Sequence, residues 1–205
     1  MLTDLSDFSI RVIEALGYLG FALLVVLEGV IPMIPSEVVL ALGGFAASRG
    51  EFEVVTTIVV ATIASVVGAW AFYGVAAYFG PAPLYAGVRR YGKWFGISED
   101  DLHAAQRWFD RWSVLAVGVS RCVPLARSLI SVPAGFARMS LMSFTLSTAL
   151  GSLVWNTIFV LAGYALGEQW ERVLPYADYF QMAVFAACFV TALFVVYWLW
   201  RRRHA

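Results

Sequence analysis

Charge is scarce in this sequence, and so are the residues that most often perform chemistry. Fourteen basic and fourteen acidic residues make up 14% of the chain against 61% hydrophobic, with a mean hydropathy of +0.77, whereas a soluble domain is about a quarter charged. An ordinary soluble globule is thereby excluded, and the chain reads as an integral membrane protein. The two cysteines, Cys122 and Cys188, stand in apolar surroundings without motif spacing, which argues against a disulfide framework or a thiolate metal site and for inert buried thiols. The only histidines, His103 and His204, lie away from the apolar stretches. No Ser-His-Asp set, Cys/His metal cluster or Gly-rich phosphate loop can be assembled at membrane depth. Neither an enzyme, a bound metal, a cofactor nor a nucleic-acid partner is expected. Asp4 and Asp7 occupy the place of a signal peptide's basic region. Residues 1–14, with Leu5, Phe8, Val12 and Ile13 at helical spacing, are expected to form an amphipathic helix lying on the membrane.

What the sequence has is apolar length. Val54 to Gly80, Met139 to Gly167 and Tyr179 to Trp200 carry no charge, and each can cross a hydrocarbon core that needs roughly 20 residues. Four shorter apolar pieces, Ala15 to Leu27, Val38 to Ser48, Trp112 to Ser120 and Ser128 to Ala137, are in or below the range of about 10–14 residues that marks buried or re-entrant segments. They flank two proline-containing charged breaks, EGVIPMIPSE from Glu28 to Glu37 and RCVPLAR from Arg121 to Arg127. The expected fold is an all-α polytopic membrane protein of two opposed re-entrant helical hairpins and three full transmembrane helices. Irregular backbone at membrane depth must be covered by protein or a wet cavity, so the two breaks are expected to face each other inside the molecule.

Arg89, Arg90, Lys93, Arg107 and Arg111, and later Arg201 to Arg203, place the central segment and the C-terminus in the cytoplasm by the clustering of basic residues. Threading the chain accordingly makes the hairpins enter from opposite faces. The halves also read alike. PMIPSEVVLALGGFA and PLARSLISVPAGFA both lead from a proline break to Gly-Phe-Ala, at Gly44 and Gly135, and each is followed by a span ending in small-x-x-x-Gly, Ala76 to Gly80 and Gly163 to Gly167. An inverted repeat is the expected architecture, with Gly44 and Gly135 as close-packing positions. One membrane domain, 1–205, then divides into an amphipathic helix (1–14), first hairpin plus span (15–80), cytoplasmic amphipathic segment (81–111), second hairpin plus span (112–167) and C-terminal span (176–200). Within the cytoplasmic segment, Ser98 and Asp101 form a capping box, and Leu102, Ala105, Trp108, Phe109 and Trp112 share a face suited to the membrane interface.

Within membrane-depth sequence the only ionisable side chains are Glu28, Glu37, Arg121 and Arg127. One reading is mutual salt bridging that joins the hairpins. The other assigns roles by chemistry: permanently charged, fork-shaped guanidiniums at Arg121 and Arg127 suit a phosphate, and desolvated carboxylates at Glu28 and Glu37 can carry a proton. Pro32, Pro35, Pro124 and Pro133 are expected to break the hairpins and free backbone groups.

EGVIPMIPSE resembles the Glu-x-x-x-Pro-x-x-Pro-x-Glu element of the DedA family, also called the SNARE-associated or VTT-domain family. SRCVPLARSLISVPAGFARMSLMSF resembles its second signature, Arg-x-x-Pro-x-x-Arg followed by Pro-Ala-Gly-x-x-x-Met and a phenylalanine. The resemblance covers about residues 15 to 168. It implies paired re-entrant hairpins and lipid translocation in a bacterial cytoplasmic membrane, with membrane lipids as partners and an anionic lipid phosphate, most plausibly undecaprenyl phosphate, as substrate. It also implies coupling carboxylates at Glu28 and Glu37 and essential arginines at Arg121 and Arg127. A phospholipid flippase or scramblase, for instance for phosphatidylethanolamine, and a proton-coupled cation exchanger are the alternatives. A homo-oligomer is compatible with the sequence and not required by it. The chain departs from many members in its first span, having Gly68-Ala69 where they have Gly-Asp and Ala76-Ala77 where they have Gly-Arg.

Overall fold

The computed structural model of the chain describes residues 9, 11–13, 15–30, 36–95, 99–124 and 126–167. The expected C-terminal span 176–200, most of the 1–14 helix, Ser98 of the capping box, and Pro32 and Pro35 lie outside the described residues. Among the described residues every regular element is helical. In chain order these are α1 (Tyr18–Val30), α2 (Ser36–Ser48), α3 (Val54–Phe79), α4 (Ala82–Phe95), α5 (Glu99–Ser120), α6 (Ala126–Leu129), α7 (Ser131–Phe136) and α8 (Leu141–Leu166).

Two helices, α3 and α8, are long and apolar enough to cross a membrane. Only 33% and 28% of the most apolar windows of these helices are buried inside the protein. Leu, Val, Ile and Trp side chains therefore face outward, among them Val55, Val59, Ile63 and Trp70 of α3 and Leu146, Leu150, Val154 and Ile158 of α8. A soluble fold would invert this pattern, because it would leave that apolar surface in water. Helix α1 adds a stripe of exposed Leu19, Leu23 and Leu27, spaced so that one face of the helix is apolar.

Both long helices begin with a side-chain cap. The Glu53 carboxylate accepts hydrogen bonds from the Val55 and Thr56 amides at 3.0 and 2.6 Å, and Ser140 Oγ accepts one from the Ser143 amide at 3.2 Å. These partners satisfy amides that a helix N-terminus otherwise leaves orphaned. Both helices end on a glycine of positive φ, Gly80 and Gly167, a backbone conformation that suits a residue without Cβ.

The two helices match residue for residue. Caps Glu53 and Ser140, first residues Val54 and Leu141, last residues Phe79 and Leu166, and closing glycines Gly80 and Gly167 are all 87 positions apart. Gly44 and Gly135 dock on equivalent places. A methyl group on Gly44 would press on the Val160 carbonyl oxygen and lie 2.8 Å from the Tyr164 amide nitrogen. One on Gly135 would lie 2.5 Å from the Tyr73 carbonyl oxygen and 2.9 Å from the Ala77 amide nitrogen. Tyr73 and Val160, and Ala77 and Tyr164, are again 87 apart. Each half thus lays its second short arm against the long helix of the other half, and both expected close-packing glycines are where backbones touch.

The long helices run antiparallel. Trp70 Nε1 donates to Thr145 Oγ1 at 3.0 Å, and the Asn156 amide donates to Thr62 Oγ1 and Ser65 Oγ at 3.3 and 3.4 Å, so residue numbers rise along α3 as they fall along α8. Ser65 and Ser152, also 87 apart, lie near the middle of their helices, close to this crossing.

In the first half the chain returns after α2 to where α1 began. Tyr18 stacks on Phe52 with ring centroids 4.2 Å apart, and its hydroxyl accepts from the Glu53 amide at 2.7 Å. The second half differs from expectation in two ways. The border expected between residues 111 and 112 falls inside α5, which runs unbroken from the amphipathic segment into the first arm because no proline interrupts Glu99 to Ser120. The second arm is split at Ile130, and Pro133, expected as a breaker, instead sits in the first turn of α7, where the missing N–H has little consequence. Phe109 is buried while Trp108 and Trp112 are exposed, so the expected common face of α5 divides between the core and the outer surface. Cys122 is half-buried, with its thiol 3.6 Å from the Gly151 carbonyl oxygen.

Candidate functional site

Two apolar clusters fill the interior. One gathers Phe21, Leu24 and Val25 of α1 with Val38 to Leu42 of α2 and Val160 of α8, and the other gathers Ala69, Val117, Ala134, Met139 and Phe144. The charged residues contact both. Arg121 is the first residue after α5, Pro124 lies in the turn that follows, and Arg127 falls in α6.

Arg127 forms an ion pair with Glu28 of α1, their side chains 14% and 4% exposed. The two proline-containing breaks are therefore in contact. A buried ion pair is weak evidence of stabilisation, because removing two charges from water is costly. The pair is also incompletely satisfied, since Glu28 Oε2 has no hydrogen-bond partner.

Arg121, 6% exposed, has no carboxylate partner among the described residues. Its Nη1 donates to the Arg127 carbonyl at 2.5 Å, and its Nη2 donates to Ser131 Oγ at 2.9 Å and Thr148 Oγ1 at 3.3 Å. Its Nε has no partner. Close backbone approach puts it there: a methyl on Gly151 would press on the Gly118 carbonyl oxygen and lie 2.7 Å from Arg121 Cβ. Aromatic faces cover both guanidiniums. Arg121 Cζ lies 5.7 Å from the Phe144 centroid and Arg127 Cζ lies 5.9 Å from that of Trp155, distances at which ring quadrupoles attract a cation. Two guanidiniums against one carboxylate leave the cluster with one excess positive charge.

Glu37 is half-buried in the first turn of α2, where a carboxylate complements the helix dipole. It makes no ion pair with either arginine among the described residues. Of the four membrane-depth charges, then, Glu28, Arg121 and Arg127 are brought together and Glu37 stands apart from the ion pair.

A cavity of about 20 Å³ opens beside the arginines, lined by Ser65, Arg121, Arg127, Ser128 and Ser152 with Gly29. The uncharged polar residues Ser65, Thr148, Ser152 and Asn156 also belong to this region, and a sequence pattern of ionisable groups does not reveal them. Ser147, Thr148, Gly151, Ser152 and Asn156 are all buried on α8. Their helical spacing within a charge-free span is a signal that the sequence did contain.

Fold and site together define a helical membrane protein whose two similar halves meet at a buried arginine–glutamate cluster. The VTT domain matches residues 34–165, and the chain belongs to the VTT-domain, or DedA, family. It is 39% identical over 183 residues, 89% of this chain and 86% of the relative, to an "Alkaline phosphatase-like protein" of Lactococcus lactis subsp. cremoris. It is also 33% identical to "Undecaprenyl phosphate transporter A" of Staphylococcus aureus, with 79% and 80% of the two chains covered, and 32% identical to the protein of the same name in Bacillus subtilis, with 88% of each covered. No solved structure matches. Among the described residues no group of three His, Cys, Asp or Glu side chains could hold a metal ion.

Proposed function

We propose that this protein moves a lipid phosphate, undecaprenyl phosphate, between the leaflets of a bacterial cytoplasmic membrane, with two hairpins entering from opposite faces and the C-terminus in the cytoplasm. The observation that carries the reading is the excess positive charge at Arg121, buried beside a cavity and bonded only to neutral acceptors. An unbalanced guanidinium at membrane depth calls for an anion, and a cation exchanger would place its excess charge the other way. The relatives named as undecaprenyl phosphate transporters supply the lipid.

The ion pair suggests the order of events. While Glu28 is ionised, Arg127 is occupied. Protonation of Glu28 frees the guanidinium, a phosphate takes the carboxylate's place, and release of the phosphate together with loss of the Glu28 proton restores the pair. This exchange links proton and lipid movement through Glu28, with Glu37 as a second carboxylate outside the ion pair.

Reconstitution into liposomes with labelled undecaprenyl phosphate, with and without a pH gradient, tests this. Arg127→Lys keeps the charge and loses the bidentate fork. The loss of one charge-assisted hydrogen bond, roughly 1.5–3 kcal/mol, should slow transport roughly ten- to hundredfold. Glu28→Gln should abolish the response to the gradient. Full activity in the lysine variant, or equal transport of undecaprenyl phosphate and phosphatidylethanolamine by the parent, would replace phosphate recognition with nonselective scrambling.

A further inference from the structure

The cavity beside the arginines has a donor surplus. Other hydroxyls on the long helices are committed to the preceding turn: Thr57 donates to the Glu53 carbonyl at 2.9 Å, Thr62 to Ile58 at 2.8 Å and Ser147 to Ser143 at 2.6 Å. Ser65, Ser128 and Ser152, which line the cavity, make no such back-bond. Ser65 Oγ accepts from Asn156 at 3.4 Å, which leaves its O–H to give. Arg121 lines the same cavity with its guanidinium held by the Arg127 carbonyl, Ser131 and Thr148. Three hydroxyls beside a guanidinium thus border a space of about 20 Å³, room for about one water-sized atom.

We infer that Ser65, Ser128 and Ser152, beside the Arg121 guanidinium, form a receptor for one terminal oxygen of a phosphomonoester, and so select a lipid carrying an unsubstituted phosphate over a phosphodiester lipid. The inference rests on reading the protein as a lipid-phosphate transporter, and adds to it the residues that set selectivity. A monoester presents three terminal oxygens at the end of its chain, any of which enters a one-atom space ahead of the headgroup. A diester presents two, which share one negative charge where a monoester approaches two, so it gives the donors less to bind. A site built of donors that lose their acceptor when the wrong ligand binds discriminates strongly, because buried polar groups are then left unpaired. The position of Ser65 and Ser152, near the middle of both long helices, offers the same hydroxyl pair to a headgroup arriving from either side.

The experiment measures undecaprenyl phosphate and phosphatidylglycerol, a monoester and an anionic diester, in the same liposomes. For the parent, the monoester should move faster. In Ser65→Ala/Ser152→Ala the monoester-to-diester rate ratio should fall about tenfold or more, the equivalent of about one lost hydrogen bond, while the diester rate stays within about threefold of the parent. Ser65→Thr, which keeps the hydroxyl, should preserve the ratio. Ser152→Ala alone, which leaves Ser65 on Asn156, gives the same reading should the double variant not reconstitute. An unchanged ratio in the alanine variants of a selective parent, or equal slowing of both lipids, overturns the serine receptor and leaves lipid-phosphate transport standing. A parent that does not prefer the monoester overturns the lipid-phosphate reading itself, in favour of nonselective scrambling.

Discussion

Gly163→Ala should separate the two halves of the protein, and the structure gives the size of the effect. A methyl at Gly163 would press on the Ala41 carbonyl oxygen and lie 2.7 Å from both the carbonyl carbon and Cα of Ala41. Carbon atoms pack best at about 3.5–4.0 Å, so α2 would have to retreat from α8 by about 1 Å. A gap of that order forfeits a quarter to a half of each dispersion contact along the seam. These contacts are backbone atoms of two helices and cannot swing aside, so the cost belongs near the top of the roughly 1–3 kcal/mol typical of overpacking. Replacing a helical glycine with alanine returns about 1 kcal/mol, leaving a net loss of about 2 kcal/mol. At about 2–4 °C per kcal/mol for a chain of this size, the melting temperature in detergent should fall by about 4–8 °C. Gly74→Ala is the matched control, since Gly74 is in α3 with nothing within 4 Å of its added methyl, and it should melt no lower than the parent. If Gly163→Ala is as stable as Gly74→Ala, α2 does not rest on α8 as described.

Two further predictions concern the ends of the helices. In a background with Cys122 and Cys188 replaced, Glu51→Cys should react with an impermeant thiol reagent from outside and Gly92→Cys only from the cytoplasm, and labelling of Gly92→Cys from outside would refute the opposed entry of the hairpins. Glu51 is the better outer site because Gly50 has a φ of 79°, which a cysteine adopts only under strain. Hydrogen bonds from the Thr56 hydroxyl, the Thr56 amide and the Val55 amide hold the Glu53 carboxyl below its ordinary range. Its contribution is therefore present above the unfolded-state pKa and lost as pH falls through the lower folded value. Below about pH 5 the parent should lose thermal stability more steeply than Glu53→Ala, and parallel curves would show that the cap does not matter.

Much of the frame was legible because it follows from simple composition. The spans expected at Val54 to Gly80 and Met139 to Gly167 are found at Val54–Phe79 and Leu141–Leu166, since a charge-free run bounded by Glu53 and Gly80, or by Ser140 and Gly167, carries its own start and stop signals. Contact between the two breaks also followed, from the rule that irregular backbone at membrane depth needs a cover. The pairing within the cluster was not legible. Nothing in spacing distinguishes Glu28 from Glu37, and the choice of Glu28 as partner for Arg127 comes from how α1 lies along α3, where Gly29 and Gly68 bring the two backbones together. The serines were missed for a related reason: hydroxyls in apolar helices usually bond to their own preceding turn, and only tertiary structure separates those that do from those that face a cavity.

Where the halves match they build a frame, and where they differ they create the site. Asn156 ties α8 to Thr62 and Ser65 of α3, but its counterpart 87 positions earlier is Ala69, whose methyl can form no such bond. On the other side of the crossing Trp70 bonds to Thr145, and the counterparts of that pair, Thr157 and Ile58, form no such bond. The long helices are therefore pinned on both sides of their crossing by two unrelated hydrogen-bonded contacts, each bond worth roughly 0.6–2 kcal/mol in a membrane. Interlocked backbones at Gly44, Gly135 and Gly163 hold the second arms to this frame. The first arm α1 and the Pro124 turn meet across the Glu28–Arg127 pair, and that pair alone among these contacts can be undone by a single proton. If the protein moves a lipid phosphate as proposed, the opening that admits a headgroup would cost least between the two breaks. The crossed helices, by contrast, are joined by hydrogen bonds and backbone contacts that no change of protonation removes.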